Sequence, residues 1–187
     1  MRNNCKVTGL TIYPEKTAIY RKTCSRPTQL ALAHNIITNA TTVLDYGCGL
    51  GADVRYLKAL RIDCLGFDPF YCPQPKPRKS DVVLLNYVLN IIPDEHVRTH
   101  TLKKAISLAK KTLIIAVRLE KPPPSYTKYQ DGYLTKRSTF QKFYTQKEFL
   151  TYLKTLTPSP ICSLGKGVVY INQTNCQKIE PEIQHCV

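Results

Sequence analysis

Val43-Leu44-Asp45-Tyr46-Gly47-Cys48-Gly49-Leu50-Gly51 decides how the rest of this 187-residue chain is read. A short apolar run breaks into three glycines at alternate positions. Val54, Leu57 and Leu60 then share one face of a helix predicted over 53–60. A strand that turns through glycines into a helix brings backbone N–H groups close to a ligand, with no side chain in the way. Asp68 follows Gly47 by 21 residues and ends a second predicted strand over 64–68. At that spacing a carboxylate accepts hydrogen bonds from a ribose.

The loop alone does not choose its nucleotide, because Gly47-Cys48-Gly49-Leu50-Gly51-Ala52 also satisfies the dinucleotide pattern GxGxx(G/A). Asp45 argues against a dinucleotide. A carboxylate at the end of the first strand faces the ammonium of a methionine moiety well and a pyrophosphate badly. The chain's last elements argue the same way. A helix over 145–156 carries a capping pair, Thr145 and Glu148. Two strands then flank Gly165-Lys166-Gly167, over 161–164 and 168–172, as a hairpin. A dinucleotide fold would need a second mononucleotide half in their place.

Working outward, Ser25-Arg26-Pro27 opens a helix predicted over 26–38, and 81–87 is an apolar strand of the kind buried on both faces. A helix over 94–111 and a strand over 112–119 follow. The prolines at 69, 73, 75 and 77 exclude an ordinary helix between the second strand and the one at 81–87. The expected fold is α/β, a Rossmann-like and mostly parallel sheet that ends in an antiparallel hairpin. Residues 1–25 read as a basic arm, 26–172 as the domain with an insertion over 120–144, and 173–187 as a loose tail.

Lys and Arg number 27 against 13 Asp and Glu, a net charge of +14, which points to polyanionic partners and to nucleic acid first. The apolar runs fall short of the roughly 20 residues of a membrane span, and no signal peptide opens the chain, so a cytoplasmic protein off the membrane is expected. Eight scattered cysteines without a CxxC pair read as free thiols, and no metal site is expected. His96 and His100 are spaced as half a zincin motif, but Val97 stands where its glutamate belongs.

With these motifs the chain resembles class I S-adenosylmethionine-dependent methyltransferases over about 26–172. More narrowly, it resembles the methyltransferases associated with DNA phosphorothioation systems. The closer likeness is carried by Lys16-Thr17-Ala18-Ile19, Ser25-Arg26-Pro27, Asp131-Gly132-Tyr133-Leu134-Thr135 and Thr139-Phe140-Gln141-Lys142-Phe143-Tyr144-Thr145-Gln146. The resemblance implies S-adenosylmethionine as cofactor. Asp45, Gly47, Cys48, Gly49 and Gly51 would hold its methionine end, Asp68 and Pro69 its ribose, and Phe70 its adenine. Asn86 and Tyr87 would lie at the strand end nearest the methyl, as cofactor contact and catalytic candidates. The sequence departs from the family between the second and fourth strands, where about twelve residues replace a helix and a strand.

Methyl transfer needs alignment in a dry site more than it needs a base. Leu85-Asn86-Tyr87-Val88 lacks the Asn/Asp-Pro-Pro-Tyr/Phe string of amino-methylating enzymes, and Cys72-Pro73 reverses the Pro-Cys order of cytosine-C5 enzymes. Segment 126–144 interleaves aromatic and basic residues, as a stacking and phosphate-binding surface would, which makes Arg137, Phe140, Lys142 and Tyr144 substrate candidates. A nucleic-acid methyltransferase is the leading expectation. A small-molecule or protein methyltransferase and a catalytically inactive binding module stay open.

Overall fold

The computed structural model describes residues 5–7 and 10–173. In chain order the elements are β1 (Cys5–Val7), β2 (Leu10–Ile12), a 3-10 turn (Pro14–Thr17), α1 (Arg26–Ala33), β3 (Val43–Tyr46), α2 (Ala52–Ala59), β4 (Cys64–Phe67) and β5 (Ser80–Asn86). Then come α3 (Glu95–Leu108), β6 (Ala109–Ala116), β7 (Thr127–Tyr129), β8 (Gly132–Leu134), β9 (Phe140–Gln141), α4 (Gln146–Lys154), β10 (Ile161–Gly165) and β11 (Val168–Asn172).

The main sheet has the order β10-β11-β6-β5-β3-β4. β3, β4, β5 and β6 pair in parallel, and β11 runs antiparallel to both β6 and β10. The expected closing hairpin is therefore present, and the chain passes from β4 to β5 without an intervening strand. Strand alternation splits the core into two layers. Val83, Leu85, Leu113 and Ile115 face one core cluster with Leu102 and Ala105 of α3 and Phe149 and Leu153 of α4. Val82, Leu84, Ile114 and Ala116 face the other, with Ala31 of α1 and Leu57 of α2. Where they are buried on both sides, Val82–Leu85 of β5 and Leu113–Ala116 of β6, these strands are apolar at every position.

Three expectations change. The first helix stops at Ala33 rather than near residue 38, because Asn35 adopts a left-handed φ of 53°. Asparagine tolerates that conformation and ends helices with it, and Ile36 and Ile37 then reach the core from a turn. The helix expected to 111 ends at Leu108, and the strand expected over 112–119 starts at Ala109 and ends at Ala116. Past Ala116 the backbone leaves the ladder: Val117 N–H donates to Gly167 O and Arg118 N–H to Asn90 Oδ1. The insertion, finally, holds a three-stranded antiparallel sheet, β7-β8-β9.

The basic lead-in is folded in its described part. Ile12 is fully buried, and Tyr13 N–H donates to Ser138 O at 2.9 Å, which ties the lead-in to the insertion. The tail expected to be loose, from residue 174 on, lies outside the described residues. No helix among the described residues is long and apolar enough to cross a membrane. Among them Cys24, Cys48, Cys64, Cys72 and Cys162 are free thiols.

Candidate functional site

The carboxyl ends of β3, β4 and β5 meet where an open α/β sheet places its ligands. Gly47, Gly49 and Gly51 all have positive φ, at 97°, 51° and 72°. At Gly47 the need for glycine is steric as well, since a Cβ there would stand 2.3 Å from Val88 Cγ2. The N–H groups of Gly47 and Cys48 both donate to Phe67 O, at 2.7 and 3.1 Å, so the loop is anchored to β4 as it leaves β3. Gly51 caps the N-terminus of α2.

Asp68 organises this loop from the neighbouring strand. Its Oδ2 accepts from Gly49 N–H at 3.1 Å, and its Oδ1 accepts from the N–H groups of Phe70 and Tyr71, both at 2.9 Å. One carboxylate thus holds two loops in register, and Oδ2, with one bond made, keeps capacity for a further donor. Pro69 lies in the turn between them, and Phe70 is 57% exposed with its ring 4.8 Å from Tyr71, edge to face. An exposed aromatic ring next to Asp68 presents a face on which a base could stack.

Asp45 is 4% exposed. Burial, then the charges of Asp53 and Asp68, push its carboxyl well above the usual range, against a smaller opposing effect of Arg21. A cation brought beside Asp45 would favour its ionised form against burial and the neighbouring carboxylates. The methionine ammonium and the sulfonium of S-adenosylmethionine carry such charge, and the loop beside Asp45 presents glycines at 47, 49 and 51 with no side chain to obstruct a ligand; the residues present fit that cofactor. Burial, then the charge of Asp45, also push the Cys48 thiol up, which disfavours its thiolate form.

Asn86 belongs to a network that the chain pattern did not reveal. Asp53, 6% exposed in the first turn of α2, accepts from Ser25 N–H at 2.5 Å, Ser25 Oγ–H at 2.6 Å and Thr28 Oγ1–H at 2.8 Å. Asn86 Nδ2 donates at 3.2 Å to Asp53 Oδ2, the oxygen that also receives the two hydroxyls, while Ser25 N–H goes to Oδ1. Because a carboxylate only accepts, this orients the amide, and Asn86 Oδ1 is left buried without a partner among the described residues. Ser25 stands at the N-cap of α1, yet its side chain serves Asp53 rather than the helix. Tyr87 follows with a left-handed φ of 61°, a strain that only surrounding structure maintains, and its N–H donates to Ala116 O.

The substrate candidates of the insertion separate. Arg137 is exposed on the turn between β8 and β9. Phe140 and Tyr144 are buried, and Lys142 is held between Asp131 at 3.0 Å and Glu148 at 2.7 Å, so these three serve the interior of the insertion. The imidazoles of His96 and His100 point out from exposed positions of α3, and no metal-binding group of residues occurs among the described residues.

Residues 17–156 match the model of a methyltransferase domain. Among solved structures, 1,6-didemethyltoxoflavin-N1-methyltransferase of Burkholderia thailandensis, crystallised with its substrate and S-adenosylhomocysteine, is similar at 18% identity and a TM-score of 0.57. It matches over 79% of this chain and 76% of its own. The CcbJ methyltransferase of Streptomyces caelestis is 10% identical at a TM-score of 0.54, over 80% and 89% of the two chains. The S-adenosylmethionine-bound amino pentose methyltransferase CalS10 of Micromonospora echinaspora is 11% identical at 0.53, over 79% and 90%. No curated protein sequence matches the chain.

Proposed function

The chain belongs to the methyltransferase-domain family, and from that premise we propose that it transfers the methyl of S-adenosylmethionine to an acceptor within nucleic acid. The observation that carries the donor assignment is Asp45, a buried carboxylate among carboxylates at the end of β3. Asp45 and the loop from Gly47 to Gly51 hold the methionine end, Asp68 the ribose, and Phe70 one face of the adenine. When bound, the cofactor supplies an electrophilic methyl on sulfur. The protein's part is then to exclude water and to hold the acceptor in line. Asn86 Oδ1, fixed by its amide's bond to Asp53, is a ready acceptor for an N–H or O–H at that point, and the strained Tyr87 backbone shapes the same wall. The acceptor assignment is supported by the net charge of +14. The phosphorothioation-associated likeness, carried by the strings around residues 131–146, adds modified DNA to the candidates.

Calorimetric titration with S-adenosylhomocysteine tests the donor half. The raised carboxyl of Asp45 keeps its proton to higher pH than in the unfolded chain. Cofactor affinity should therefore rise with pH as this carboxyl ionises. Over the same interval the unliganded fold should lose stability, because the unfolded chain holds fewer protons there. Asp45→Asn should remove both trends, leaving a stabilised protein that binds cofactor weakly. Unchanged affinity in Asp45→Asn would refute the donor assignment. Labelled cofactor, offered with separate pools of DNA, phosphorothioate DNA and RNA, tests the acceptor half; label confined to small molecules or to protein would refute it.

A further inference from the structure

A groove of about 300 Å³, at the lower end of the range for ligand pockets, runs between segment 16–19 and turn 135–139. Lys16, Arg118, Lys136 and Arg137 line it, and no acidic residue does. Among the described residues Lys16, Lys136 and Arg137 have no acidic partner, and Arg118 reaches only the exposed Glu120, at 3.3 Å. Three cations without counter-charge among the described residues, beside a fourth that meets only an exposed carboxylate, create a field that an external anion relieves.

The turn that presents two of them is built, not loose. Ser138 N–H donates to Thr135 O at 3.0 Å, Arg137 N–H to Thr135 Oγ1 at 3.2 Å, and the hydroxyls of Thr135 and Thr139 meet at 2.7 Å. Tyr126 adds an aromatic face at the rim of the groove, its ring 6.2 Å from that of Phe143. The groove also adjoins the cofactor loop. Ala18, within the segment that forms one wall, lies 3.3 Å from where a Cβ on Gly49 would stand. Arg118 sits two residues beyond the end of β6, the strand whose last carbonyl receives Tyr87 N–H.

The geometry points to this groove as the docking site for the phosphodiester backbone of an unpaired nucleic-acid strand, which delivers a base to the methyl end of the cofactor. Cations along a groove with an adjacent aromatic ring are how single strands are held without sequence readout. A base must leave its stack to reach an enzyme's reacting centre. This inference rests on the nucleic-acid reading above and adds to it the place and the strand state.

Fluorescence anisotropy with labelled single-stranded DNA and RNA, measured over a series of salt concentrations, tests it on the wild-type chain and two variants. In Lys136→Ala/Arg137→Ala the slope of log affinity against log salt should flatten by about 0.7 for each cation removed. In Lys103→Ala/Lys104→Ala, on the exposed face of α3, it should stay close to wild type. Equal flattening in both variants, or no oligonucleotide binding by the wild type, overturns the proposal. So does full displacement of the oligonucleotide by a nucleoside monophosphate at equal phosphate concentration, which would assign the groove to free nucleotides. Label transfer to nucleic acid with an unchanged slope would sink the groove alone. Binding through these cations without label transfer would sink the enzymatic reading alone.

Discussion

The insertion after β6 borders two cavities, and they treat charge in opposite ways. The larger, about 600 Å³, is lined by Glu95, Asp131 and Glu148 together with Arg98, Lys142 and Lys147, three acids against three bases. The smaller has four bases and no acid. In the first, Arg98 is 2% exposed and bonds Asp131 and the carbonyls of Ile92 and Pro93, while Lys142 is shared between Asp131 and Glu148. A buried cation must be paired and hydrogen-bonded to remain charged. In the second, Lys136 and Arg137 are exposed, so water pays for their charge until another anion replaces it. The difference teaches that basic residues of one short segment divide by burial: the buried ones are ion-paired within the insertion and the exposed ones face solvent.

Asp131→Ala is expected to break that contrast with the largest effect. Among the described residues it strips Arg98 of its one acidic partner and leaves Lys142 with Glu148 as its one carboxylate. The loss should be about 3 kcal/mol in chemical denaturation, at the lower end of the range for one-sided removal because Asp131 is 38% exposed. Arg98→Met combined with Asp131→Ala should recover part of it, since no charge is then stranded. A double variant less stable than Asp131→Ala alone would mean that Arg98 acts through packing on Phe140, whose ring lies 5.9 Å from its guanidinium.

What the chain pattern could and could not reveal follows from how local each feature is. The glycine loop and Asp68 were legible because their partners lie within one strand-turn-helix-strand unit. The buried strands were legible because their centres, covered on both faces, are unbroken apolar runs. The network of Ser25, Thr28, Asp53 and Asn86 was not, because its hydrogen bonds span 25 to 61 residues and its members look like a helix cap, a helix start and a strand end. The sheet β7-β8-β9 escaped because its strands have two or three residues each, too few for a period to emerge. Arg137 and Lys142 lie five residues apart in one aromatic and basic string. Only the path of the turn between them decides which faces solvent.

A smaller effect should follow from Thr145→Ala. Thr145 Oγ1 accepts from Glu148 N–H at 3.1 Å, and Glu148 Oε2 accepts from Thr145 N–H at 3.4 Å, the capping box expected from the chain pattern. Losing the hydroxyl should cost about 1 kcal/mol. Glu148 also pairs with Lys142 through its other oxygen. The cap therefore steadies the neutralised cavity, and Lys142→Met in the Thr145→Ala background should show a coupling that distant sites lack. Strict additivity of the two changes would separate the cap from the ion pairs.

The smallest effect on stability is expected where the effect on binding is largest. Lys136 and Arg137 make no side-chain ion pair among the described residues, and their turn is pinned by Thr135, Ser138 and Thr139. Removing both side chains takes away repulsion with Lys16 and Arg118 and breaks no side-chain hydrogen bond or ion pair among the described residues. Stability should therefore change by less than about 0.5 kcal/mol, with any shift toward a higher melting temperature. Added salt should close the gap, because screening removes the same repulsion from the wild type. A drop comparable to that of Asp131→Ala would place these two cations in the architecture of the insertion and erase the distinction between the two cavities. A flat response together with a lost salt slope would mean that their charge acts only on what binds.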